Sequence, residues 1–322
     1  MRSGTGMHFQ PLSGSNGASA TKRLLFKRML ARYDLYLLLL IPIGWYVLFK
    51  YYPMYGLQIA FKDFSPSRGI WSSSWAGFKH FERFFSSYYF WDLLWNTVTL
   101  SLYTLLVTFP IPICLALLIS EIKNKYLKKT LQNVTYIPHF LSLVVVVGML
   151  NLFLDPQVGI VNRVIQWIGL HPVDFMRKAD WFQTIFVGSH IWQHMGWNSI
   201  IYLAALSSID PTLYEAAKMD GASRWKRILH VSIPGIMPTI IILFILQIGQ
   251  LMDVGFEKVL LMQNPINAEK SEIIATFVYK NGIQQGQFSY STAAGLFNSL
   301  IDFALLLIVN GYARRKTETS LW

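Results

Sequence analysis

The sequence predicts an all-α membrane protein with six transmembrane helices, and two observations carry this prediction. Hydrophobic residues make up 53% of the 322 residues, while charged residues make up only 14%, against roughly 25% in an ordinary soluble domain. The hydrophobic residues also occur in long blocks, as helices that cross the hydrocarbon core of a bilayer require.

Six blocks approach the roughly 20 residues that a transmembrane helix needs. We expect the spans at about 33–52, 96–119, 135–154, 182–206, 235–255 and 292–311. Pro110 and Pro112 fall within the second span, where neighbouring helices can satisfy the carbonyl groups that a proline leaves free.

The predicted organisation has three parts. Residues 1–32 form an N-terminal segment that is Gly/Ser-rich and disordered at first, and then basic enough for an amphipathic helix at the membrane surface. Residues 33–312 form the membrane domain, and residues 313–322 form a C-terminal tail.

The distribution of Lys and Arg predicts the orientation in the membrane. With the N-terminus in the cytoplasm, 17 of the 28 Lys and Arg residues lie in the inside segments and 10 in the longer outside segments, with Lys50 at a boundary. Because cytoplasmic loops carry an excess of these residues, both termini are expected in the cytoplasm. The net charge of +11 then reflects orientation and contact with anionic lipid, which disfavours nucleic-acid binding.

Residues 210–238 form a polar, basic island between two apolar blocks. Asp210 followed by Pro211 predicts a helix start, because Asp can cap free N–H groups and Pro is tolerated in the first turn. Gly221 after Asp220 predicts the end of that helix, since Gly accepts the left-handed conformation at little cost.

A second short helix is expected in the same segment. Ser223 can cap it at its start, and we expect it to cover residues 224–230. Pro234 should prevent its continuation, because proline lacks an N–H group and clashes with the preceding turn. The segment would then consist of two short helices joined at a glycine corner beside the membrane.

The spacing of this segment resembles the EAA loop of ABC-importer permeases. That pattern has Glu-Ala-Ala, three residues, Gly, nine residues and then Ile-x-Leu-Pro. The matching positions here are Glu215, Ala216, Ala217, Gly221, Val231, Ile233 and Pro234. Val231 and Ile233 depart conservatively from the pattern. A generic amphipathic loop helix is the alternative, but few such loops would match every fixed position.

Two flanking stretches resemble the sugar branch of these permeases. The stretch KYYPMYGLQIAFKDF from Lys50, followed by GIW and WAGFKHFERFF, is similar to permeases for complex oligosaccharides and lipo-oligosaccharides. Residues Tyr279–Asp302 are similar to sugar-importer permeases. The resemblance implies a type I importer fold with six spans, and the larger permease of an alginate-oligosaccharide importer is one match.

The resemblance also implies partners. These are a second, paralogous permease, two cytoplasmic ATPase subunits that bind the ATP and Mg²⁺, an extracytoplasmic solute-binding protein and an oligosaccharide, in the inner membrane of a bacterium. It implies no cofactor on this chain and a pore-forming role instead of an enzymatic one. The implied ATPase-coupling residues are Glu215, Ala216, Ala217, Met219, Asp220, Gly221 and Pro234.

The residues themselves also argue against an enzyme. No Gly-Lys dipeptide occurs, so the chain has no Walker A loop for ATP. No HExxH motif, GxSxG elbow or Cys/His metal spacing is visible, and we assign no catalytic or metal-binding residue. His190 and His194 share one face of the fourth span. We expect them to face a pore or to form hydrogen bonds between helices, with metal binding as the weaker alternative.

Polar side chains inside the predicted spans are candidate substrate-path residues, because such groups rarely face lipid. They are Trp192, Gln193, His194, Trp197, Asn198, Gln247, Gln250, Asp253, Asn298 and Asp302. Trp beside Gln, Asn and His suits a sugar, whose ring offers C–H faces to aromatic rings and hydroxyls to polar groups. The alternative role for each is a hydrogen bond between helices.

Two other functions stay open at this point. A permease for another solute, such as a peptide or an amino acid, would carry the same EAA pattern. A six-span channel or sensor acting alone would need a repeated filter segment, and none is visible. The residues do not specify the oligosaccharide's length or charge, a homodimer or a heterodimer, or the resting state of the transport cycle.

Overall fold

The computed structural model describes residues 32–316 and residue 320. The disorder and the amphipathic helix predicted before Arg32 lie outside the described residues, as do residues 317–319, 321 and 322 of the predicted tail.

Of the described residues, Arg32–Gln58 belong to one compact unit. Helix α1 covers Tyr33–Tyr46 and continues through a π turn, Val47–Tyr51, into the short helix α2, Tyr52–Met54, and a 3-10 turn, Tyr55–Phe61. Every residue of α1 is exposed. This agrees with the first predicted span, because lipid chains would cover its Leu and Ile side chains.

The described residues from Ile59 onward form the second unit. It has one small antiparallel sheet of β1 (Lys62–Asp63) and β2 (Ser74–Trp75), in which Lys62 lies opposite Trp75. Its helices, in chain order, are α3 (Gly69–Ser72), α4 (Lys79–Phe85), α5 (Phe90–Thr108), α6 (Pro110–Ser120), α7 (Lys125–Tyr136), α8 (Leu143–Leu154), α9 (Ile160–Trp167), α10 (Ala179–Ser207), α11 (Pro211–Met219), α12 (Arg224–Arg227), α13 (Ile233–Ile248), α14 (Phe256–Met262), α15 (Ala268–Ser271), α16 (Ile274–Tyr279) and α17 (Phe288–Lys316).

Within the described chain, four helices are long and apolar enough to cross a membrane. They are Tyr33–Phe61, Phe90–Ser120, Arg224–Ile248 and Phe288–Lys316, and the bent pair Lys125–Phe140 and Leu143–Leu154 makes a fifth if it is one span. Helix α10 overlaps the fourth predicted span and has 29 residues. It is not among these helices, since its His, Gln and Asn residues lower its hydropathy.

The third predicted span is not one straight helix. Helix α7 begins earlier than predicted, a 3-10 turn covers Ile137–Phe140, and the chain bends by 101° before α8. Pro138 interrupts the helical hydrogen bonds, and the Ser142 hydroxyl caps α8 by accepting from the Val145 N–H. Hydropathy did not predict the bend, because it counts apolar residues and is insensitive to the direction of the backbone.

The prediction that Pro234 ends a helix is wrong. Helix α12 passes through a π turn, Ile228–Ser232, into α13, so that one continuous helix runs from Arg224 to Ile248. The π turn shifts the hydrogen-bond register, which places Pro234 in the first turn of α13. A missing N–H group costs little at that position.

Several described helices of the second unit pack against α10. Near its start, Phe182, Phe186 and Val187 are buried in a cluster with Leu100 of α5 and Val259 of α14. Near its end, Tyr202 and Leu206 are buried in a second cluster, which includes Ala116 and Leu117 of α6 and Ile236 of α13. Helix α10 therefore connects elements from both halves of the chain.

A glycine allows α10 to approach the bent pair closely. Gly196 is buried, and a Cβ atom added to it would overlap the backbone carbonyl of Thr135 on α7. The contact is with backbone atoms, so a rotamer change cannot relieve it. Small residues at helix interfaces permit this kind of approach in membranes.

We predict that Gly196→Ala destabilises the folded protein by about 2–3 kcal/mol, because overpacking against backbone forces the two helices apart. The matched control is Gly188→Ala on the same helix, where an added Cβ would meet no atom within 4 Å. The thermal midpoint of each purified variant in detergent measures the effect. Equal midpoints for the two variants would contradict the packing argument.

Candidate functional site

A polar cavity of about 220 Å³ lies where α5, α10 and the residues after α13 meet. Its polar lining consists of Ser101, Thr104, His190, Gln247, Gln250 and Asp253. Three predicted path residues, Gln247, Gln250 and Asp253, therefore come together with His190. Ser101 and Thr104 were not predicted, because isolated hydroxyls in an apolar helix commonly bond to their own backbone.

Two of these groups lack a partner. The hydroxyl oxygens of Ser101 and Thr104 are buried, and neither has a hydrogen-bond partner within the described chain. An unpaired buried hydroxyl is unfavourable, so both are available to a polar molecule that enters the cavity. Together with the Gln amides and the carboxylate, the lining offers both donors and acceptors.

Asn298 and Asp302 of α17 hold the cavity wall and do not line the cavity. The Asp302 Oδ1 atom accepts a hydrogen bond of 2.8 Å from the Met252 N–H. The Asn298 Nδ2 atom donates to the Met252 carbonyl at 3.5 Å. Met252 lies between Gln250 and Asp253, so these two predicted residues position the turn that carries lining residues.

The same turn explains why the fifth span ends early. Helix α13 ends at Ile248 and not near residue 255 as predicted. At Gly249 a Cβ atom would collide with the Leu306 side chain of α17. The chain then turns as far as Gly255, whose φ of +59° is in the left-handed region.

A column of stacked rings runs along α10 beside the cavity. Phe186, His190 and His194 are four residues apart, and their ring centroids are separated by 6.3 and 4.3 Å. His139, from the turn after α7, lies 5.4 Å from His194 and stacks on Trp197 at 4.5 Å with the planes 3° apart. His139 was not predicted, since only the fold brings it to α10.

The other predicted residues of α10 lie apart from this cavity. Gln193 is buried and its Nε2 atom donates to the Leu141 carbonyl at 3.1 Å, where the bent pair breaks. Gln193 therefore has the role that was the alternative to substrate binding for each polar residue, which is a hydrogen bond between helices. Trp192 lines a separate, mostly apolar cavity of about 650 Å³, and Asn198 is exposed.

A buried lysine lies against the cavity wall. Lys258 of α14 is 3% exposed, its Nζ atom lies 4.9 Å from the centre of the Phe186 ring, and the same atom donates to the Phe186 carbonyl at 3.3 Å. It forms no ion pair with any described residue. Sequence reasoning placed Lys258 in an external segment. Little in the sequence indicated its burial, because Lys258 stands beside Glu257 and lysines are rarely buried.

No group of three or more His, Cys, Asp or Glu side chains in the described chain is arranged to hold a metal ion. His190 and His194 face each other as stacked rings, and the Nδ1 atom of His194 lies 3.1 Å from the His190 carbonyl. His194 also contacts His139 from the turn after α7, whereas His190 contacts rings of α10 and lines the cavity.

The second candidate site is segment 210–238. Asp210 caps α11 by accepting from the Thr212 N–H at 2.9 Å. Hydrogen bonds from Thr212 lower the pKa of the Asp210 carboxyl below its ordinary value. Its contribution to stability is therefore present above the unfolded-state pKa and is lost as the pH falls through the folded-state pKa.

The glycine corner forms as predicted. The Gly221 N–H donates to the Lys218 carbonyl and the Ala222 N–H to the Ala217 carbonyl, which is the Schellman pattern of a helix end. Gly221 has a φ of +70°. Ser223 then caps α12 by accepting from the Lys226 N–H.

The segment is anchored to the membrane helices on one side and open on the other. Ile228 and Ile233 of the segment pack against the buried cluster of α6 and α10, and within the segment the hydroxyls of Tyr214 and Ser232 are hydrogen bonded at 3.0 Å. On the open side Met219 is 88% exposed and Trp225 is 72% exposed. Glu215 and Ala216 are also exposed. Exposed apolar side chains beside charged ones are typical of a surface that a partner protein covers.

The sequence profile of the family described as "Binding-protein-dependent transport system inner membrane component" matches residues 109–318. The chain belongs to this family. The match contains segment 210–238 and every predicted path residue. The chain is thus a subunit of a transport system and an inner membrane component with several helices able to span the membrane.

Named relatives of this inner membrane component include transport permeases. It is 43% identical over 301 residues, 94% of each chain, to the "Polygalacturonan/rhamnogalacturonan transport system permease protein YteP" of Bacillus subtilis (strain 168). It is 42% identical over 288 residues, 89% of this chain and 91% of the relative, to "Protein LplB" of the same organism.

Two solved structures share the fold. One is a bacterial ABC transporter involved in the import of the acidic polysaccharide alginate, with a TM-score of 0.84, 42% identity and coverage of 91% of this chain and 99% of the other. The second is a bacterial alginate ABC transporter in complex with an alginate pentasaccharide-bound periplasmic protein. Its TM-score is 0.85, its identity 41%, and the coverage is 92% and 99%.

We predict that Asp302→Leu destabilises the protein by about 1–3 kcal/mol, because the Met252 N–H loses its acceptor. Asp302→Asn keeps an oxygen at the same position and should stay within about 0.5 kcal/mol of wild type. Thermal midpoints in detergent, compared with wild type, test the pair. A destabilised Asn variant would show that the charge and not the acceptor is required.

Proposed function

We propose that this chain is the permease subunit of an ABC importer that moves an oligosaccharide from an external binding protein into the cytoplasm. The observation that carries the proposal is the polar cavity at α10, with its two unpaired hydroxyls, in a member of a transport family. Several weak polar contacts suit transport, because the substrate must also leave. Because the chain belongs to a family of transport-system components, the alternative of a channel or sensor that acts alone has no support.

The substrate we propose is an oligosaccharide that carries carboxylates. Alginate and galacturonan, in the names of a structural neighbour and a relative, are polymers of sugar acids. Lys258, whose Nζ atom lies against the cavity-lining Phe186, also supports this assignment, because a buried amine without an acid partner would gain from a carboxylate that enters the cavity. His190 supplies a further nitrogen in the same region.

We predict that Lys258→Met lowers the uptake of a uronate oligosaccharide by about tenfold or more, because a charge-assisted hydrogen bond is lost. Uptake is measured in proteoliposomes that contain the complete importer and its binding protein. Lys258→Arg keeps the charge and should restore a large part of the uptake.

The matched control for this prediction is Lys62→Met. Lys62 is also buried, and its Nζ atom also donates to a carbonyl, that of Ile70, at 2.8 Å. Uptake by the Lys62 variant should stay near wild type once its yield is corrected for. Wild-type uptake by Lys258→Met would contradict the role of this lysine.

The topology we propose has six spans with both termini in the cytoplasm. The bent pair of α7 and α8 supplies the third span, and α10 supplies the fourth although it is polar. Bundle interiors tolerate such helices, because neighbouring helices cover their polar faces. The membrane domain then covers residues 33–312, with cytoplasmic segments at residues 1–32 and 313–322.

The partners we propose are a paralogous permease, two ATPase subunits that bind ATP and Mg²⁺, and an extracytoplasmic solute-binding protein. Residues Ala216–Asp220 would sit in a groove of one ATPase, with Glu215 offering its charge and Met219 its exposed apolar side chain. Closure of the ATPases would then rock the helices as rigid bodies between two orientations. The continuous helix from Arg224 to Ile248 supports this, because it joins the segment directly to the turn at the cavity.

We predict that Gly221→Val reduces uptake at least about tenfold while the complex still hydrolyses ATP, because the corner that presents Ala216–Asp220 is distorted. Glu215→Lys should uncouple the two activities in the same way. The measurement is the ratio of sugar transported to ATP hydrolysed in proteoliposomes.

Gly169→Val is the matched control for backbone strain. Gly169 also has a positive φ, +84°, and no atom within 4 Å of an added Cβ. It lies in the segment that we assign to the external side. Both valine variants should lose similar stability, but only Gly221→Val should lose coupling. Wild-type coupling in Gly221→Val and Glu215→Lys would overturn the assignment of this segment.

A further inference from the structure

A large basic groove lies beside segment 210–238. It has a volume of about 910 Å³ and is bounded by the chain after α6, by α7, by the end of α10, and by α11 and α12. Five cationic side chains line it, and Glu121 is the one acidic residue in the lining. The cations are Lys123, Lys128, Lys218, Arg224 and Arg227.

The five cations of this groove are not paired with acidic side chains. None of the five forms an ion pair with a residue of the described chain. Arg227 donates to the Ala222 carbonyl at 3.3 Å, which leaves most of its guanidinium donors free. Five cations with one carboxylate repel each other, so the groove is electrostatically suited to an anion.

Part of the groove lining is apolar. Ile122, together with Ile200, Leu203 and Leu206 of α10, lines the same space as the cations. A small inorganic anion would gain nothing from contact with these apolar side chains. A molecule with an anionic group at one end and hydrocarbon at the other would contact the cations and the apolar side chains at once.

The exposed side chains of α7 indicate that the groove lies at the level of the lipid headgroups. Lys128, Gln132 and Tyr136 form the stripe of α7 that lines the groove. Beside it, Leu127, Leu131 and Val134 form a second stripe that is exposed. A helix with an exposed apolar stripe beside a polar stripe that carries a lysine is typical of the headgroup region of a bilayer.

We propose that this groove binds the phosphate headgroup of an anionic phospholipid from the cytoplasmic leaflet, with an acyl chain against the α10 wall. Bound lipid would bridge α7, the end of α10 and segment 210–238. The site is separate from the substrate cavity and does not depend on which solute is carried. Its assignment to the cytoplasmic leaflet rests on the orientation proposed above.

Native mass spectrometry of the full-length chain in detergent tests the proposal. Dioctanoyl phosphatidylglycerol, dioctanoyl phosphatidylcholine and glycerol phosphate are titrated separately. We expect phosphatidylglycerol to bind at least about tenfold more tightly than either of the others, because only it offers both an anion and acyl chains. Equal binding of glycerol phosphate would make the groove a soluble-anion site, and equal binding of phosphatidylcholine would remove the role of charge. Either result overturns the proposal.

Two variants locate the binding. The triple variant Lys123→Gln, Lys128→Gln and Arg224→Gln should weaken phosphatidylglycerol binding about tenfold or more. Ala204→Trp, at an exposed position in the groove lining, should weaken it comparably by filling the space without changing charge. A size-exclusion profile and thermal midpoint like those of wild type show that each variant is folded.

The matched control removes three cations elsewhere, at Arg68, Arg163 and Lys178, which are exposed and form no ion pair with a described residue. Its phosphatidylglycerol affinity should stay within about twofold of wild type.

Wild-type affinity in both groove variants overturns the proposal. The same holds if the groove triple loses the ATPase subunits but keeps its lipid affinity, because the groove is then part of a protein interface. Lipid binding by this chain is measured without ATPases, so its failure is distinct from a failure of coupling.

Discussion

The contact between Gly196 and the backbone of Thr135 determines how the rest of the second unit is arranged. Helix α10 lies against α5, α6, α13 and α14, and it also meets the bent pair of α7 and α8. A side chain larger than hydrogen at residue 196 would move α10 away from this pair. The ring stack of His139 on Trp197 and the hydrogen bond of Gln193 to Leu141 both depend on the same close approach.

Polar side chains form hydrogen bonds with the backbone where the helices break. A helix end inside a membrane exposes N–H and C=O groups that lipid cannot satisfy. Asp302 and Asn298 satisfy Met252 after α13, and Gln193 satisfies Leu141 between the halves of the bent pair. At α15, Asn96 of α5 donates to the carbonyls of Glu269 and Glu272. These residues position irregular backbone, and the irregular backbone shapes the cavity.

The continuous helix from segment 210–238 to the cavity gives the proposed importer its mechanical connection. An interruption at Pro234 would have separated the exposed end, with Met219 and Trp225, from the turn that carries Gln250 and Asp253. The π turn at Ile228–Ser232 avoids that interruption, and the Tyr214–Ser232 hydrogen bond joins α11 to the same turn. In the proposed importer, a displacement of α11 would be transmitted along α13. The basic groove lies beside this connection, so a bound lipid would contact both α7 and the segment.

Local chemistry was enough to predict part of this protein. Long apolar blocks required membrane helices, and Asp210, Gly221 and Ser223 specified the caps and the corner of segment 210–238, because each acts on its own neighbours in the chain. Pairing of distant elements decided the rest. Lys258 and His139 reach α10 only through packing, so they look like loop residues in the sequence. Hydropathy could not predict the bend at Leu141 or the continuous helix through Pro234. Both depend on which carbonyl accepts a hydrogen bond from each N–H group in the folded protein.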